Sequence, residues 1–87
     1  MFSMKKMDRH LELLGHMAET LGIDLNAAMR AGRLSPETYR AAALRCTGCD
    51  APEACAHWQR DHRAGADVAP DYCRNATLLA ALKEAAP

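Results

Sequence analysis

The sequence has no excess of charge of either sign: eleven basic residues balance eleven acidic ones. No basic stripe stands out, which argues against a nucleic-acid partner. Long apolar runs are missing too. The opening MFSMKKMDRH carries no stretch of signal-peptide length, and no later stretch is apolar enough to span a bilayer. The expectation is therefore no membrane partner and a cytoplasmic location. There is no period-two alternation to mark strands, and no internal repeat. The residue sets of common catalytic sites are also absent. His10 and His16 lie six apart, which is not a metal-pair spacing on a helix, so both read as surface residues. Asp61 and His62 are adjacent and face different ways. With no phosphate loop and no carboxylate pair, a non-enzymatic role is the stronger expectation.

What is present is helix punctuation. Ser3 can cap a first helix over Met4 to Leu21, with Met4, Met7, Leu11, Leu14, Ala18 and Leu21 in 3-4 spacing on one seam. That seam reads as a core-facing stripe or, alternatively, as a homodimer surface. Gly22 supplies the stop. Asp24 caps a short helix from Leu25 to Ala31, which Gly32 ends. Leu34-Ser35-Pro36-Glu37 restarts the chain, with Ser35 as N-cap, Pro36 at the first helical position, and a staple between Leu34 and Tyr39. This third helix runs to about Arg45 and puts Tyr39, Ala42, Ala43 and Cys46 on one side. Asp50-Ala51-Pro52-Glu53 reads as a capping box for a fourth helix, Pro52 to Asp61, with Cys55, Trp58 and His62 on one face. A polar loop follows, and Asn75 is placed to cap a last helix that turns Leu78, Leu79 and Leu82 inward.

The fold class expected is all-α: one domain, 1–87, of about five short helices. The N-terminal helices occupy 1–34 and a four-cysteine half occupies 35–87. A chain this short buries only about 60–65% of its unfolded surface, so a metal or disulfides would help to hold it.

All the cysteines fall in that second half, as Cys46, Cys49, Cys55 and Cys73, spaced C-x2-C-x5-C-x17-C. Close cysteines in a reducing compartment suggest metal binding before a disulfide framework. A C-x2-C turn can place two sulfurs at one metal, and the intervening Gly48 would let backbone N–H groups point at sulfur. Cys55 would sit in the first turn of a helix, whose dipole favours thiolate. Cys73 would close the site from beyond the loop, tying three helices together through the metal. Zinc commonly takes two short-spaced pairs, and only one pair here is short. A [4Fe–4S] cluster suits single ligands from several segments and is the leading expectation, with zinc next. Disulfides, or a Cys46–Cys49 dithiol without metal, stay open. Trp58 and Tyr72 would shield the site, Arg45 and Arg74 would offset thiolate charge, and His57 reads as a surface residue.

Two resemblances attach to these residues. The stretch from Cys46 to Cys55 resembles the end of the iron–sulfur loop of endonuclease III-type DNA glycosylases. That likeness covers ten residues, without the glycosylases' catalytic motif, and implies no repair activity. Over most of its length the chain resembles small bacterial proteins of an uncharacterised domain-of-unknown-function family. Their pattern is R-C-x2-C-x5-C-x2-W, a variable loop, then aromatic-Cys-Pro-Asn. Here it is carried by Arg45, Cys46, Cys49, Cys55, Trp58, Tyr72, Cys73 and Asn75, with Arg74 in place of the proline. The resemblance implies that the four cysteines act as a unit, and it implies no activity. The functions expected are electron transfer, redox or metal sensing, or assistance to a partner protein. A zinc-stapled adaptor module is the alternative.

Overall fold

The computed structural model describes residues 4–85. Five helices follow one another: α1 (Met4–Thr20), α2 (Leu25–Arg30), α3 (Pro36–Thr47), α4 (Pro52–Asp61) and α5 (Ala76–Ala85). No strand occurs among the described residues, so the fold is all-α as expected. The Ser3 cap lies outside the described residues.

The helix ends follow the sequence signals closely in the first half. α1 stops in a Schellman motif: Gly22, at φ 79°, donates to Glu19, and Ile23 donates to the Ala18 carbonyl. Gly32, at φ 77°, ends α2 in the same way, with Arg33 donating to Ala28. The Asp24 carboxylate accepts from Ala27 N–H at 2.9 Å, and Ser35 Oγ accepts from Thr38 N–H at 3.1 Å. Leu34 is in the core, and Tyr39 is among the partly buried residues packed against that core.

Two expectations about helix starts are corrected. No side chain caps α4; its N-cap is Ala51, and Asp50 points into solvent toward Arg74 instead. Asn75 stands at the N-cap position of α5, and its carbonyl accepts the first helical bond from Leu79. Its side chain, however, is used elsewhere, as described below.

The inward face of α1 also differs from the seam drawn on the sequence. Its buried residues are His10, Leu13, Leu14, Met17 and Ala18. Met4 is 72% exposed, and Met7 and Leu11 are only partly covered. A helix packed on two neighbours needs a wider stripe than a 3-4 seam, because its buried arc extends past one line of contact. α1 has such neighbours in α3 and α4. The homodimer reading of Met4 to Leu21 loses Leu14, Ala18 and Leu21, which are buried within the chain's own core. Met17, Ala18, Leu21, Ile23, Ala28, Leu34, Leu79 and Leu82 form that core, so α1, α2 and α5 share one centre.

The segment between α4 and α5 is fixed at both ends. Ala66 N–H donates to Thr20 O at 2.9 Å, across a turn where Gly65 takes φ 108°. The Lys83 ammonium reaches back from α5 to the Ala66 and Asp67 carbonyls at 3.4 and 3.1 Å. This returns the chain to α3 and α4 just before Cys73.

The rotated face of α1 makes a direct prediction. Met17→Ala, in the core, should cost about 2–5 kcal/mol in urea unfolding. Met4→Ala should stay within about 0.5 kcal/mol. Equal losses at the two positions would restore the sequence-drawn seam.

Candidate metal centre

The four cysteines come from four places along the chain. Cys46 is in the last turn of α3, Cys49 follows it in the α3–α4 connection, Cys55 is on α4, and Cys73 precedes α5. All four line one narrow cavity, of about 30 Å³. Leu13, Leu14 and Met17 of α1 form its apolar floor, and Tyr72, Arg74 and Asn75 complete the wall. Each cysteine is partly buried, and all four are free thiols. Among the described residues, no group of three or more His, Cys, Asp or Glu side chains is placed to hold a single metal ion.

The local geometry between Cys46 and Cys49 is simpler than expected. Gly48 takes an ordinary φ of −81°, as the C-cap of α3. A Cβ there would meet Leu44 O and Arg45 O at 3.6 Å and Arg74 Nη1 at 3.7 Å, ordinary contact distances. Gly48 N–H donates to Leu44 O, and Cys49 N–H donates to Cys46 O. These amides therefore continue the helix rather than turning to sulfur. The backbone N–H that does bond to sulfur belongs to Asn75, and it serves Cys73. Gln59 Nε2 lies 3.4 Å from Cys55 Sγ.

Burial governs the chemistry of these thiols. It pushes Cys46 up to about 11, with the charges of Cys55, Cys49 and Cys73 adding to it. Cys55 also rises to about 11 through burial and the charges of Cys73 and Cys49, with the Gln59 hydrogen bond pulling the other way. The expected preference of Cys55 for thiolate at a helix start is thus overridden. Cys55 is one residue past the first three helical positions, and its own N–H already donates to Ala51 O. Burial raises Cys73 too, partly opposed by the Asn75 N–H. The Tyr72 hydroxyl is raised by burial and by the charges of Cys55, Cys49 and Cys73, which places its ring beside three of the sulfurs. At Cys46, Cys55 and Cys73 the surroundings thus favour the protonated thiol.

Of the remaining expected residues, Tyr72 and Arg74 line the cavity, whereas Trp58 and Arg45 do not. Trp58 packs on the core and stacks with His62 at a centroid distance of 4.2 Å, and His62 Nδ1 lies 2.7 Å from Trp58 O. Arg45 donates through Nε to Asn75 Oδ1 at 2.9 Å, so its role is to orient Asn75. Arg74 pairs with Asp50 at 3.7 Å. His57 and His16 are exposed, as read.

Two residues escaped the sequence reading. His10 is a correction: it is 3% exposed rather than on the surface. Its side chain sits against Cys46, with Nδ1 3.8 Å from Sγ, and the Cys46 S–H donates to His10 O at 3.2 Å. A polar residue three before Leu13 gives no periodic signal of its own. The second is the side chain of Asn75, which is 2% exposed. Its Nδ2 donates to Ala42 O at 2.9 Å while its Oδ1 accepts from Arg45, so it fastens the start of α5 to α3.

Fold and site together define a small all-α protein with a shared four-thiol cavity. The profile of a family of unknown function (DUF6455) matches residues 1–85, and the chain belongs to that family. Comparison with curated proteins gives no match, and comparison with solved structures gives none either.

Two outcomes are expected. Asn75→Ala strands Ala42 O and the Arg45 guanidinium and should cost about 1–3 kcal/mol in chemical unfolding of the metal-free protein. The thiols give a pH dependence. Folded Cys46 and Cys55 hold their protons more tightly than unfolded cysteines, whose pKa is about 8.5. Their contribution is therefore complete below that pH and is lost as pH rises toward about 11. The urea midpoint of metal-free protein should fall across this window, and serine at both positions should flatten the fall. A midpoint that does not move would show that these thiols are not desolvated.

Proposed function

We propose that this chain is a small metal-binding protein in which Cys46, Cys49, Cys55 and Cys73 hold a [4Fe–4S] cluster. It would act in the cytoplasm in electron transfer, redox sensing or support of a partner protein. One observation supports the reading: four thiols face one cavity with an apolar floor. A cubic cluster takes four thiolates, one to each iron, and single ligands from separate stretches of chain suit it. The donor set fits as well, since thiolates are the normal ligands of such clusters.

When bound, the cluster supplies a one-electron redox couple. The chain's own residues supply the rest. Leu13, Leu14 and Met17 exclude water from the inner side. Tyr72, at 37% exposure, borders the outer side, where an electron partner would approach. Asn75 N–H and Gln59 Nε2 donate to the sulfurs of Cys73 and Cys55.

Anaerobic purification, or reconstitution with iron and sulfide, should give about four irons per chain and broad visible absorption that bleaches on reduction. Cys73→Ser should lose most of the iron and the colour. Colourless protein with about one zinc would favour the structural staple. Metal-free protein with paired, oxidised thiols would overturn both readings.

A further inference from the structure

The four-cysteine reading leaves a buried histidine unexplained. His10 lies on the inward face of α1 among Leu13, Leu14 and Met17. Burying an imidazole in such company is unfavourable unless its N–H finds an acceptor. Cys46 Sγ lies 3.8 Å from Nδ1 of the ring. The same sulfur is 3.2 Å from the His10 carbonyl oxygen.

These two contacts have opposite polarity. A thiol can donate its proton to the carbonyl. A metal-bound thiolate has no proton and can only accept. Loss of the Cys46 proton on metal binding removes the bond to the carbonyl and leaves an acceptor facing the ring. The tautomer protonated at Nδ1 then satisfies both the buried imidazole and the sulfur. Across the cavity, Gln59 of α4 makes a parallel arrangement. Its Nε2 donates one hydrogen to Leu13 O at 2.9 Å and reaches Cys55 Sγ at 3.4 Å with the other. The bond to Leu13 fixes the amide, so its position does not depend on the sulfur.

We propose that His10 and Gln59 are N–H donors to the ligating sulfurs of Cys46 and Cys55 and raise the reduction potential of the bound cluster. The proposal rests on the cluster reading given above. Reduction adds negative charge that is shared with the thiolates. A donor aimed at sulfur stabilises the reduced form more than the oxidised one, so the potential rises. Both residues lie outside the cysteine motif, and both are positioning residues that act through the ligands.

The test uses the full chain reconstituted anaerobically with iron and sulfide, and reads iron content and reduction potential. His10→Leu and Gln59→Leu keep bulk and remove the donor. His10→Asn keeps an N–H at the same distance from the backbone as Nδ1. Each leucine variant should shift the reduction equilibrium about tenfold toward the oxidised form, or about 59 mV lower for one electron. His10→Asn should recover most of the shift. A purely packing role would not produce that recovery. Unchanged potentials in iron-loaded leucine variants would overturn the donor role and leave the cluster reading intact. If a leucine variant holds no iron, the asparagine variant decides: wild-type potential supports the proposal, and a lowered one overturns it. Wild-type protein that takes up no iron would sink the cluster reading first, and the donor role with it.

Discussion

The structure depends on one shared wall. Leu13, Leu14 and Met17 of α1 form the floor of the thiol cavity, and Met17 is at the same time part of the hydrophobic core. Site and core are two sides of the same helix. This couples them physically, because packed interiors do not deform one side without the other. It also agrees with α3 and α4, which carry Cys46 and Cys55, making the main helix–helix contacts with α1. Had α1 presented the narrower line through Met4, Met7 and Leu11, the sulfurs would face no apolar surface from this helix.

Placing four thiols against that wall has an electrostatic consequence. Partial burial makes the thiolates of Cys46, Cys55 and Cys73 unfavourable, and charge on a neighbouring sulfur makes them more so. The site is therefore biased toward the protonated state in the absence of a cation. It is also biased strongly against holding bare thiolates that would react with oxidants. The hydrogen-bond donors around it have the opposite effect. Asn75 N–H, Gln59 Nε2 and the His10 ring stand near the sulfurs, and a donor bonded to sulfur favours the thiolate.

The local signals that the chain carries in sequence are the ones that involve near neighbours. Ser35, Asp24, Gly22 and Gly32 act on residues within six positions, and their caps and stops stand where they were read. The shared cavity of Cys46, Cys49, Cys55 and Cys73 was legible from residue type and spacing. What was not legible depends on long-range partners. Asn75 reads as a cap because the cap position is local. Its bonds to Ala42 and Arg45 span 33 and 30 residues, and no pattern within α5 encodes them. His10 reads as surface because a single histidine interrupts an apolar stripe, and only the approach of α3 supplies its partner. Asp50 fails as a cap for a related reason: Arg74, distant in sequence, draws its carboxylate outward.

The fourth cysteine shows how much of the site is built before any ligand arrives. On the sequence, a metal at Cys73 would close a long loop and hold three helices together. In the structure, other contacts hold that loop. Ala66 is bonded to Thr20, Lys83 reaches the Ala66 and Asp67 carbonyls, and Asn75 ties the residue two past Cys73 to α3. None of these contacts involves sulfur. The entropy of closing the loop is met by ordinary hydrogen bonds and by burial of Leu79 and Leu82.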